Sequence, residues 1–286
     1  MFEQIYKTTF LKSNPRFAFL MGFAFAIIGI FSARIIFGSN PGLMSVAFTA
    51  ILLIPSLNNL LSINEQSETR EKQFSLRVLF NDHKDVFKIY TLAFFGIFLA
   101  YLLFSIVWAQ SFSLFYLGPQ LEVAGITAPA AQNGLIGNAF NSYSFSTFLG
   151  ILANNFIVLI ACLFLSFFYG AGSILFITWN ASVWGSVFGY RIRDSVAHSS
   201  TTWFPALYTT ILPVLPHMLT EAVSYFSAAI VGGVVSKAFL SEKFGSKRFK
   251  RVMDDAFIFF ILAVILVIIA AFLEVFVFPY LYTMLL

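Results

Sequence analysis

The chain has 286 residues, of which 59% are hydrophobic and only 10% charged, with 38 phenylalanines and a formal net charge of +4. A soluble domain carries about 25% charged residues, so this composition excludes an ordinary water-soluble fold and makes the bilayer the natural solvent. The single cysteine, Cys162, excludes an intrachain disulfide and any Cys-x-x-Cys site.

In chain order, the first run long enough to cross about 30 Å of hydrocarbon is 17–37. It is longer than a signal-peptide core and lacks a small-residue cleavage site, so it reads as a retained span. A tight turn at 38–42 leads to a second span, 43–61. The polar stretch 62–88, with an apolar insert at 74–80, reads as an amphipathic surface helix. The third span is 89–117, and 118–146, with Glu122 as its one charge, reads as an external loop. The fourth span is 147–169. Gly170, Ala171 and Gly172 turn the chain into a fifth, 173–190. After a polar link at 191–202 comes 203–240, broken by Pro205, Pro213 and Pro216. A basic loop at 241–255 precedes the last span, 256–281.

The expected fold is therefore all-α: a polytopic transmembrane helix bundle of about seven spans with one proline-broken segment. Its parts are an N-terminal two-span hairpin with a cytoplasmic amphipathic connection, 1–88, and a five-span core, 89–286.

Orientation follows from the basic residues. All 17 except Arg34, Arg191 and Arg193 lie before the first span, between the second and third, or before the last. These groups share one side if 203–240 crosses once. The N-terminus is then cytoplasmic and the C-terminus external in the cell membrane. If Arg191 and Arg193 are inside instead, 203–240 crosses twice and the fifth segment is re-entrant.

Polar residues inside apolar spans each need a reason. Asn154 and Asn155 interrupt the fourth span, as interhelical hydrogen-bonding groups or as a substrate or ion contact. Pro216 suits a helix start, and His217 and Glu221, four residues apart, share a face. With the two asparagines they form a candidate polar intramembrane cluster, structural or proton- and cation-binding. Gly170, Gly172, Asn180, Gly185 and Gly189 read as helix-packing residues, Gly185 and Gly189 forming a G-x-x-x-G pair. Arg34 and Glu274 both fall near the outer interface, where they either snorkel independently or pair. No hydrolase, zincin or phosphate-loop motif occurs, and the expectation is a non-enzyme without cofactor or resident metal.

The order Asn154-Asn155, Gly170-x-Gly172, Trp179-Asn180 followed by Gly185, then Pro216-His217-x-x-x-Glu221 with Ala222 and Ala228-Ala229 resembles the stage II sporulation protein M family of integral membrane proteins, over residues 95–285. Here Ala181 follows Asn180 and Met218 follows His217, where the family has glycine. In spore-forming bacteria the resemblance implies a part in forespore engulfment beside cell-wall hydrolases. Relatives in organisms that never sporulate imply a more general role. The expected function is a non-enzymatic scaffold or envelope-remodelling component whose partners are the lipid bilayer and other membrane or envelope proteins, not nucleic acid. The alternative is a transporter or channel using the buried His, Glu and Asn residues.

Overall fold

The computed structural model describes residues 8–67, 76–126, 144–199 and 201–285. These are helical, with no strand among them. The helices are α1 (Thr8–Ser13), α2 (Arg16–Ile36), α3 (Pro41–Ser67), α4 (Leu76–Val107), α5 (Gln110–Tyr116) and α6 (Gly118–Glu122). Beyond residues 127–143 come α7 (Phe145–Tyr169), α8 (Ile174–His198), α9 (Trp203–Ile211), α10 (Leu215–Ser241) and α11 (Lys247–Phe272). A π-turn at Leu273–Val277 joins α11 to α12 (Phe278–Leu285).

Local chemistry sets several of these ends. Ser144 and Ser246 cap α7 and α11, each side chain accepting a backbone N–H at 3.1 Å, from Thr147 and Phe249. Gly170 stops α7 at φ 59°, a conformation that favours glycine. Pro216 sits in the first turn of α10, where its missing N–H costs nothing.

Several boundaries differ from the sequence reading: α8 runs on through 191–198, expected as a polar link, and α11 begins at Lys247, inside the expected basic loop. The third span breaks at Trp108 and Ala109, so α4 ends at Val107 and α5 restarts at Gln110. The polar stretch 62–88 is no separate helix within the described residues: 62–67 continue α3 and 76–88 begin α4, each prolonging an existing hydrogen-bond ladder without a new nucleus. Its remainder, 68–75 with Arg70 and Lys72, lies outside the described residues, as does 127–143 of the expected external loop.

Five helical stretches are long and apolar enough to cross a membrane: Arg16–Ile36, Lys84–Val107, Phe145–Tyr169, Leu215–Leu240 and Lys247–Leu285. The apolar part of α3, Pro41–Leu57, is shorter. Helix α8 falls outside this set despite its 25 residues, and its buried positions include Thr178, Ser182, Gly185, Ser186 and Gly189. It can be this polar because protein, not lipid, surrounds it. Helix α9 has nine residues, about 13 Å of helix, too short to cross, so 203–240 contains one membrane-length helix.

The bundle has two halves. In the first, α4 packs between α2 and α8, with α3 closing over α2. In the second, α10 packs between α7 and α11. The halves meet through edge-on aromatic pairs, Tyr90 and Phe94 of α4 against Phe226 of α10, with centroids 6.0 and 5.8 Å apart. Glycines let the backbones touch. A Cβ on Gly185 would lie 2.5 Å from the Phe98 carbonyl oxygen, and one on Gly189 2.5 Å from that of Leu102. A step of four along α8 thus matches a step of four along α4, and the two helices run parallel. The described connections then fall at two ends. One end holds α1, the α7–α8 turn and the basic 243–251 stretch. The other holds 108–126, Ser144, the α8–α10 link and the C-terminus.

Candidate functional site

Asn154 and Asn155 occupy consecutive positions of α7, about 100° apart around the helix. Only one can face the bundle. Helix α7 buries the stripe Asn155, Leu159, Cys162 and Ser166, while Asn154 is exposed on the outer face. Asn154 donates to Asn155 Oδ1 at 3.3 Å, and the buried Nδ2 of Asn155 has no hydrogen-bond partner.

His217, Glu221 and Tyr225 follow one another at intervals of four on α10. The Tyr225 hydroxyl donates to Glu221 Oε1 at 2.7 Å, both groups buried. Of the sequence-based cluster, Asn155, His217 and Glu221 are buried and Asn154 is exposed. Neither asparagine donates to Glu221: the Asn154 amide is turned to Asn155, and the Asn155 Nδ2 is without a partner. The i+4 spacing of Tyr225 was the signal that would have found the partner of Glu221.

His217, 8% exposed, instead lines a cavity of about 470 Å³ with Arg191 of α8 and Glu274 of the π-turn. Val123 to Gly125, Thr147, Trp184 and Phe278 supply further wall. The His217 ring meets Phe278 edge-on at 5.9 Å, and its Nδ1 has no hydrogen-bond partner. Glu274 reaches the cavity through the π-turn, in which the Phe278 N–H bonds back to the Leu273 carbonyl, five residues away. The widened turn lies just ahead of Pro279, whose ring and missing N–H disturb a regular α-helix there. The cavity sits at the end of the bundle opposite the basic stretch.

Arg34 does not pair with Glu274. Helix α2 belongs to the half away from α11; Arg34 is exposed there and acts electrostatically on the Tyr116 hydroxyl, which donates to the Ile30 carbonyl. Glu274 instead lies near enough to Glu221 for the two carboxyl groups to interact. Arg191, read from sequence as part of a polar link, is inside α8, and no local pattern marked it as a cavity residue.

Asn180 donates to the Phe176 carbonyl of its own helix at 2.9 Å. Gly172 lies against the Leu165 carbonyl, where a Cβ would come within 2.8 Å. At the cavity end, Arg193 Nη1 donates to the Ile106 carbonyl at 2.5 Å, capping the last turn of α4. Gln110 Nε2 donates to Asp194 Oδ1 at 2.9 Å. Among the described residues no group of three His, Cys, Asp or Glu side chains is placed to hold a metal ion.

A bundle of long apolar helices packed through backbone glycine contacts, with most of its charged side chains at its two ends, defines an integral membrane protein. The family model described as Stage II sporulation protein M matches residues 112–279, from α5 to Pro279, and the chain belongs to that family. Arg191, His217 and Glu274 all fall within the match. No curated protein matches, and no solved structure matches.

Proposed function

We propose that the protein is a seven-pass scaffold of the cell membrane that holds another membrane or envelope component in place and performs no chemistry of its own. In this reading α3 and α8 cross as well as the five apolar stretches. The N-terminus and the basic loops are cytoplasmic, and the C-terminus is external. The observation that carries the reading is an apolar groove of about 460 Å³ on the outer face of the second half, lined by Leu163, Phe164, Phe167, Val231, Gly232, Val235, Met253, Ala256, Phe257 and Phe260. It lies between α7 and α11, over a bundle that glycine contacts hold tightly together. Family membership is compatible with such a role.

A photoreactive residue at Phe257, which lines the groove and is 65% exposed, tests this in native membranes. The expected result is a discrete cross-link to one membrane protein, identified by mass spectrometry and missing from a control probe at Ile51 on α3. Lipid adducts alone at both positions would refute the scaffold.

A second reading, transporter or channel, draws support from the cavity holding Arg191, His217 and Glu274, since charged groups inside a membrane bundle commonly mark substrate paths. Solute flux in proteoliposomes that Glu274→Gln abolishes would favour it over the scaffold.

A further inference from the structure

The cavity at the end opposite the basic stretch combines features that the groove lacks. Its charge-bearing lining residues come from separate elements: Arg191 from α8, His217 from α10 and Glu274 from the π-turn. No hydrogen bond or ion pair reaches Glu274 among the described residues, although Arg191 lines the same space. Glu274 lies near enough to the buried acid Glu221 of α10 for the two carboxyl groups to interact, and the Glu221 carboxyl accepts a hydrogen bond from Tyr225. A carboxylate taken out of water needs a cationic partner or donors. In the same cavity, the Arg191 guanidinium and His217 Nδ1, the latter without a hydrogen-bond partner, can serve an anionic oxygen. The remaining wall is apolar, with Trp184, Val187 and Phe278 among its members. The π-turn independently singles out Glu274, because single π-turns inside α-helices frequently occur at functional sites.

We propose that this cavity binds a small zwitterion, its ammonium group at Glu274 and its anionic oxyacid group at Arg191 and His217. A lone anion would face the Glu274 carboxylate, and a lone cation would face Arg191. One molecule carrying both charges satisfies both kinds of group and leaves the site neutral, which the low-dielectric surroundings favour. A volume of about 470 Å³ is in the range of small-ligand pockets. It accommodates either the headgroup of an aminophospholipid, with its chains leaving between helices, or a free molecule such as an amino acid. The ligand chemistry is the same in both cases. The site is separate from the apolar groove, so it stands or falls independently of the scaffold reading.

The test uses the full-length protein in a non-ionic detergent, with titration calorimetry and ligand-dependent melting as readouts. The probes are dihexanoyl phosphatidylethanolamine, free glycerophosphoethanolamine, leucine, the anionic dihexanoyl phosphatidylglycerol and ethanolamine. Saturable binding of at least one zwitterion, at least tenfold tighter than the anion or the amine alone, is expected. Glu274→Gln, which keeps the size of the side chain, should weaken that binding at least tenfold while the protein elutes as a folded species. If Glu274→Gln does not fold, Glu274→Asp serves, because shortening the side chain should weaken the zwitterion but not ethanolamine. Binding of the short-chain lipid alone assigns the site to a headgroup; binding of a free zwitterion alone assigns it to a soluble molecule; either supports the proposal. No saturable zwitterion binding, equal binding of phosphatidylglycerol, or unchanged affinity in the Glu274 variant overturns it.

Discussion

Replacing Gly185 by alanine adds one methyl carbon where α8 rests directly on α4. That carbon would lie 2.5 Å from the Phe98 carbonyl oxygen, 2.9 Å from Tyr101 Cβ and 3.0 Å from the Leu102 nitrogen. Ordinary carbon–carbon contact needs about 3.5 Å and carbon–oxygen contact about 3.3 Å. The shortfall of about 0.6–0.8 Å falls mainly on backbone atoms, which cannot rotate aside as a flexible side chain would, so α8 must lift off α4. Overpacking of this kind costs about 1–3 kcal/mol, and the rigid neighbours place it at the upper end, about 3 kcal/mol. Alanine recovers about 1 kcal/mol through its better helix propensity. The net is a destabilisation of about 2 kcal/mol, or about 4–8 °C in melting temperature for a chain of this size. Gly150→Ala in α7 is the control, because a Cβ there meets nothing within 4 Å, and it should gain about 0.5–1 kcal/mol. Tryptophan fluorescence melts of both variants in detergent measure the difference. A Gly185→Ala protein that melts at or above the wild type would refute the idea that α4 and α8 are held backbone to backbone.

Three further outcomes are expected. Glu221→Gln keeps an acceptor for the Tyr225 hydroxyl and should melt near the wild type, whereas Glu221→Ala strands that hydroxyl and should lose about 1–3 kcal/mol; equal loss in both variants would point away from the hydrogen bond. Ser246→Ala removes the side-chain cap on the Phe249 N–H and should cost about 1 kcal/mol, read as a lower melting temperature, while no change would mean water replaces the cap. Cysteines at the exposed positions Glu122 and Lys243 should react with an impermeant maleimide from opposite faces of the membrane, with buried Cys162 silent; labelling of both from one face contradicts the seven-pass arrangement.

The amino-acid sequence by itself determined the class of this protein, most helix positions and several helix ends. The reason is that these depend on local quantities. Apolar length decides what can span hydrocarbon, and Ser246, Gly170 and Pro216 act on their own backbone neighbours. The family was legible for a similar reason, as an order of short motifs along one strand of text. The candidate site was legible only in part. His217, Glu221 and Glu274 stood out as polar residues in apolar runs, but their partners did not. Which of two adjacent asparagines faces inward depends on how α7 is rotated against α10. Whether Glu274 meets Arg34 or the cavity of Arg191 depends on which half of the bundle α2 joins, and on a π-turn that shifts the helix face just before Pro279. The sequence marks 173–190 as a span, but that α8 is less apolar than the five membrane-length stretches because protein covers its Thr178, Ser182 and Ser186 is decided by tertiary packing. Rotation, register and neighbour choice are settled between helices, by close packing of side chains and glycine-permitted backbone contact, and only the folded bundle decides them.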